Sequence, residues 1–197
     1  MNIDNHRVRQ ARQVPSQNCD ARPLSCDIDT IVVHSISLPP GHFGGCHIDE
    51  LFTNCLNPQE HHYFAEISDL KVSAHVLVNR LGELTQYVAF NERAWHAGQS
   101  GYLGRERFND FSIGIELEGT DDGPFESIQY VVLARLIVEL SRSYPSIRRS
   151  NIVGHSTIAP TRKTDPGPFF DWDKLDLLIG YMESLKATQD IQGISKS

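Results

Sequence analysis

Hydrophobic positions along the chain change period several times, and the changes mark out interleaved strands and helices. Asp29 to Ser35 is a β-branched run with the shape of a buried strand. Leu38 to Gly45 is a loop by composition. Ile48, Leu51, Phe52, Cys55 and Leu56 recur at helical spacing, predicting a short amphipathic helix ended by Asn57-Pro58. Val72 to Asn79 and Leu84 to Ala89 read as a hairpin turning through Arg80-Leu81-Gly82-Glu83. Arg93 to Arg107, rich in glycine and polar residues, reads as a long functional loop. From Phe111 to Gly119 the pattern alternates: Phe111, Ile113, Ile115 and Leu117 take one face, Ser112, Gly114, Glu116 and Glu118 the other. Ile128, Val131, Val132, Arg135, Leu136, Glu139 and Leu140 predict a helix from Ser127 to Tyr144, closed by Pro145. Asn151 to Gly154 is a short strand. Asp171 is placed to cap a final helix that turns Trp172, Leu175, Leu178, Ile179 and Met182 inward.

This interleaving predicts one α/β domain with a mixed central sheet flanked by helices. Residues 1–27 read as an irregular arm packed on a domain of residues 28–185, followed by a polar tail, 186–197, expected to fray. A length of 197 residues supports a real core. The net charge of −7 argues against nucleic acid or an anionic membrane as partner, and a monomer is expected. No export signal or membrane-spanning stretch is visible, so the expected compartment is the cytoplasm. Cys19, Cys26, Cys46 and Cys55 form no C-x-x-C pair and read as free thiols; the Cys19/Cys26 gap matches no common zinc spacing.

The chemistry concentrates between Gly154 and Pro168. This stretch carries His155, Lys163 and Asp165, and prolines at 160, 166 and 168 exclude a regular helix. In an extended run Lys163 and Asp165 point the same way. His34 and His155 both fall at strand ends, where α/β proteins place their sites. Two imidazoles and the Asp165 carboxylate would make a catalytic zinc set with a fourth position for water. Taken singly, each histidine reads as structural; the rigid Lys-x-Asp-Pro segment tips the balance towards a metal. Glu116 reads either as a general base or as a solvated carboxylate on an antiparallel strand; periodicity favours the second, and Glu118 is its rival for the first. Lys163 is equally an ion-pair partner or a cation placed to stabilise an oxyanion. His75 and His96 read as core histidines, outer partners of the site or substrate contacts. Trp95 is a sugar-stacking platform or a buried ring. His6, His42, His61 and His62 are read as surface residues.

With these come further segments: Val14 to Pro23, Ile36 to Gly41 after His34, Ser73-Ala74-His75, Arg93 to Gly98, and Gly104 to Asp121. Together with Gly154 to Pro168 they resemble the AmpD-type N-acetylmuramoyl-L-alanine amidases, within the wider zinc amidase and peptidoglycan-recognition superfamily. The resemblance runs from about Gln10 to Leu178. It implies one zinc ion per chain, held by His34, His155 and Asp165, with Glu116 and Lys163 catalytic. It places Arg107 and Asn109 along the substrate cleft and gives Lys71 to the peptide's carboxylates; His75 and Trp95 join them as substrate contacts on the reading of the residues above. It implies hydrolysis of the amide between the lactyl group of 1,6-anhydro-N-acetylmuramic acid and L-alanine, in muropeptides recycled from the cell wall, with an indirect effect on β-lactamase induction. Ser35 stands where the family pattern has asparagine, and Cys46-His47 where it has a proline and an aromatic; His47 is thereby a spare candidate ligand. A non-catalytic peptidoglycan-binding module and an amidase of the intact wall are the rival readings.

Overall fold

The computed structural model describes the backbone of residues 1–194 and the side chains as far as Leu185. The side chains of the expected polar tail, 186–197, lie outside the described residues. The strands are β1 (Ile3–Asp4), β2 (Arg7–Val8), β3 (Arg12–Gln13), β4 (Cys19–Ala21), β5 (Thr30–Ile36), β6 (Val76–Val78), β7 (Leu84–Gln86), β8 (Glu92–Ala94), β9 (Gly101–Tyr102), β10 (Arg105–Glu106), β11 (Ser112–Glu118) and β12 (Ile152–Gly154). The helices are α1 (His47–Phe52), α2 (His62–Ile67), α3 (Ser127–Ser143), α4 (His155–Ile158) and α5 (Trp172–Ile194).

Six strands form a mixed sheet in the order β12-β5-β11-β6-β7-β3. β12, β5, β11 and β6 are mutually parallel neighbours, and β6 and β7 form the expected antiparallel hairpin. One face, through Ile31, Val33, Ile113, Ile115 and Leu117, packs on α3 and α5. The other is covered at one end by α1 and α2, through Leu77, Leu51, Phe52 and Phe64, and at the opposite end by Val32, Ala97, Phe108 and Ile158. Both faces are therefore buried, as a parallel sheet requires.

Three helical expectations shift. α1 stops at Phe52, because Thr53 caps it and Asn54 turns into the left-handed region (φ 61°). Cys55 is consequently exposed, off the predicted stripe. α3 buries Tyr130, Leu133, Ala134, Leu136, Ile137 and Leu140, while Ile128 and Arg135 face outward. The inward face includes Gln129, whose amide donates to the carbonyls of Val78 and Glu118 at 3.2 and 3.0 Å, so a polar residue holds the helix to the sheet. In α5, Leu175 and Ile179 are buried, but Trp172 is partly exposed and packs edge-on against Phe170. Asp171 caps this helix as expected, accepting from the Lys174 N–H at 2.9 Å.

Candidate active site

The parallel register sets the site out as a row. Glu116 on β11 lies directly beside His34 on β5. Gly154, the last residue of β12, pairs with Val33, so His155 emerges level with His34 on the other side. Neighbouring strands are about 4.8 Å apart, and this brings three functional side chains onto one face near the strands' C-terminal ends. The segment after β12 contains a single helical turn, α4, before Pro160 stops it; no longer helix forms, but the stretch is not extended throughout. It then folds back so that the Ser156 N–H bonds the Asp165 carbonyl at 2.8 Å.

His34 Nδ1 lies 3.0 Å from His155 Nδ1 and 3.0 Å from Asp165 Oδ2; His155 Nδ1 lies 3.1 Å from the same oxygen. The hydrogen-bond partners of the outward nitrogens fix both tautomers. His155 Nε2 faces the Ala97 carbonyl at 3.1 Å and must donate to it. Ser112 donates its hydroxyl to the Phe108 carbonyl, so its oxygen accepts from His96 Nε2 at 3.2 Å. His96 Nδ1 then accepts from His34 Nε2 at 3.0 Å. A neutral imidazole carries one N–H, so both Nδ1 lone pairs point at the Asp165 carboxylate. Burial holds the His34 imidazole down at about 4 despite Asp165, so the ring stays neutral. His34 Nδ1, His155 Nδ1 and Asp165 Oδ2 thus converge as a group that could hold a metal ion. A tetrahedral ion with bonds of about 2.0–2.1 Å has ligand–ligand edges of about 3.3 Å, close to the observed triangle.

Glu116 is 8% exposed, and its Oε2 has no hydrogen-bond partner among the described residues. Burial, reinforced by Asp165 and opposed by Lys163, pushes its carboxyl well above the ordinary range. The solvated reading fails because β11 lies between two parallel strands in the middle of the sheet. Glu118 is committed elsewhere: its oxygens accept from the Gly44 and Arg80 N–H groups at 2.5 and 3.1 Å.

These groups form the floor of a cavity of about 610 Å³. Leu38, Leu51, Phe52, Tyr63 and Ile67 give it an apolar wall, while Ser35, Thr120, Asp121 and Lys163 give it a polar one. Lys163 therefore enters the same cavity as Asp165. Leu70 and Val72 also line it, which sets the exposed Lys71 at the rim.

Four expected substrate contacts do not reach this wall. His75 is fully buried: Nδ1 accepts from the Gly114 N–H at 3.0 Å, Nε2 donates to the Glu92 carbonyl at 3.1 Å, and burial holds the ring neutral. Asn109 uses its side-chain oxygen to accept from the His96 and Ala97 N–H groups, at 3.1 and 2.7 Å. Trp95 accepts at its carbonyl from the Ser73 N–H, donates its own N–H to the Ser73 hydroxyl, and is no part of the cavity lining. Arg107 pairs with Asp110 at 3.1 Å and faces a separate depression beside Arg162.

His96 takes the outer-partner role that the sequence left open for it, 3.0 Å from His34, and Asp121 is the residue the sequence reading missed. His96 occupies the space left by Gly114, where a Cβ would stand 2.4 Å from its ring. Asp121 accepts from Ser35 at 2.6 Å and from Thr164, tying the end of β5 to the loop between Lys163 and Asp165. Gly114 is the sequence feature that leaves room for His96; nothing in the spacing pointed to Asp121.

A family model described as N-acetylmuramoyl-L-alanine amidase matches residues 24–168. The chain is 56% identical over 170 residues to the 1,6-anhydro-N-acetylmuramyl-L-alanine amidase AmpD of Salmonella typhimurium, covering 86% of this chain and 90% of that one. Among solved structures it resembles an AmpD crystal structure with a TM-score of 0.88 and 54% identity, covering 91% and 99% of the two chains. It also resembles the Escherichia coli amidase AmiD in complex with anhydro-N-acetylmuramic acid-L-Ala-D-γ-Glu-L-Lys, with a TM-score of 0.56 and 31% identity, covering 80% and 60%.

Proposed function

Because the chain belongs to the N-acetylmuramoyl-L-alanine amidase family, we propose that it is a zinc-dependent hydrolase of the amide joining the lactyl group of 1,6-anhydro-N-acetylmuramic acid to L-alanine. The observation that carries the zinc assignment is the convergence of His34 Nδ1, His155 Nδ1 and Asp165 Oδ2 within 3.1 Å beside a buried glutamate. Bound zinc supplies Lewis acidity, making water a nucleophile near neutral pH and polarising a carbonyl. Glu116, one strand away, accepts the proton of the attacking water. The water oxygen bonds to the lactyl carbonyl carbon, the C=O electron pair moves to the carbonyl oxygen, and Lys163 stabilises the negative charge there. Glu116 then returns the proton to the leaving nitrogen of L-alanine as the C–N bond breaks. Its elevated carboxyl suits this double task, since an acid–base group works best near the operating pH. The apolar wall from α1 and α2 fits the less polar side of the muropeptide, and Lys71 at the rim is the cation we assign to its peptide carboxylates.

The similarity to AmpD supports a cytoplasmic role in cell-wall recycling, where hydrolysis would lower the muropeptide signal for β-lactamase induction. Metal analysis combined with product identification tests the reading. We expect one zinc per chain and release of a peptide beginning with L-alanine from an anhydro-muropeptide, much faster than from intact sacculus. Binding without cleavage, or preference for sacculus, overturns it.

A further inference from the structure

Cys46 and His47 belong to a second cluster of possible ligands, on the surface. Glu50 lies one helical turn beyond Cys46, so its carboxylate reaches back over the start of α1. Its Oε1 is 3.0 Å from Cys46 Sγ and its Oε2 is 3.0 Å from His47 Nδ1. Glu60, from the loop before α2, brings a carboxylate oxygen to 3.9 Å from the same nitrogen. The Sγ, Nδ1 and carboxylate atoms of Cys46, His47 and Glu50 lie within 4.8 Å of one another. The His47 ring rests on Phe64, with centroids 4.8 Å apart, which fixes its direction.

We propose that Cys46, His47 and Glu50 form a second metal site for a divalent transition ion such as Zn²⁺ or Co²⁺, with Glu60 as fourth ligand. Thiolate and imidazole exclude Mg²⁺ and Ca²⁺, which take oxygen donors. Bonds of about 2.3 Å to sulfur and about 2.0–2.2 Å to nitrogen and oxygen imply ligand separations of about 3.3–3.6 Å, so the two 3.0 Å contacts of Glu50 would widen slightly and the 3.9 Å approach of Glu60 would close. The ion displaces the thiol proton now given to Glu50, and the His47 proton moves to Nε2, so one proton leaves per ion bound. The site joins two parts of the cavity's rim. Pro40 and Gly41, ahead of Cys46, and Leu51 and Phe52 of α1 all line the cavity. Between them Gly41, Gly44 and Gly45 adopt positive φ, leaving a pliant loop that an ion at its end would anchor.

The cavity floor offers no sulfur ligand, so sulfur marks the second site alone, and the proposal does not rest on the amidase reading. Full-length protein carrying one equivalent of zinc is titrated with Co²⁺ and followed by absorption. A sulfur-to-cobalt charge-transfer band should grow in with one further equivalent. It should vanish in Cys46→Ser and persist in Cys55→Ser, the other exposed thiol. In His47→Ala the affinity should fall by about tenfold or more, since losing a ligand costs at least as much as losing an outer partner. Circular dichroism of the metal-free variants checks that each is folded. No band at micromolar concentrations, or a band that survives Cys46→Ser in a folded protein, overturns the proposal.

Discussion

Lys163→Ala and Asp165→Ala separate two kinds of electrostatics two residues apart. Lys163 lines the cavity without belonging to the converging triangle, so its loss should leave zinc content unchanged and lower the rate on the order of a hundred- to a thousandfold. Asp165→Ala removes the one negative ligand and should purify with little zinc. Metal content and initial rates measured on both variants check this; a Lys163→Ala enzyme of near-normal rate refutes the charge-stabilising role. At this scale the sequence was partly readable. The proline-bounded segment pointed to His155 and Asp165, because rigid loops carrying unlike polar groups are rarely packing devices. Glu116 was misjudged on periodicity, since an alternating pattern looks the same whether its polar face meets water or a filled cavity. Of the roles left open for His75 the structure takes the core one, and Asn109 spends its side-chain oxygen on backbone N–H groups, uses that spacing alone could not reveal.

In the loop from Thr164 to Pro168 one backbone approach is especially close. Gly167 has φ +84°, and a Cβ there would stand 2.2 Å from the Asp121 carbonyl oxygen. Gly167→Ala should therefore push the loop off Asp121, lowering stability by about 2 kcal/mol or more. For a chain of this size that is a fall in Tm of roughly 4–8 °C, and zinc should bind less tightly as well. Thermal melts with and without zinc measure both; an unchanged Tm would mean the loop relaxes freely. Strand positions and the β6–β7 hairpin were legible because their patterns are local. The buried face of α3 was not: the helix is apolar on more than one side, and the choice is made by α5 and by carbonyls that receive Gln129.

Across the whole molecule, the N-terminal arm is wired into the centre. β3 pairs with β7 at the sheet edge, and β4 pairs with β8. Arg22 donates to the carbonyls of Phe90, Asn109, Asp110 and Ser112 at 2.8–3.2 Å, with no carboxylate among these contacts. Burial lowers its guanidinium to about 10, which still leaves it charged at neutral pH. Arg22→Ala should strand these carbonyls and cost about 3 kcal/mol, a Tm loss of roughly 6–12 °C. A loss under about 2 °C by calorimetry would show that water replaces it. The α/β class could be read from the alternation of elements. The order β12-β5-β11-β6-β7-β3 could not, because pairing between distant strands leaves no local trace.

The row formed by His155, His34 and Glu116 across three strands has a consequence for how preparations of this protein are judged. A slip of one residue between β5 and β11 would turn Glu116 to the face opposite His34 and His155. No misregistered molecule, however compact, would keep partial turnover. Specific activity in refolded or variant samples therefore counts correctly paired chains, and it does so more stringently than secondary-structure content, which a slipped sheet would preserve.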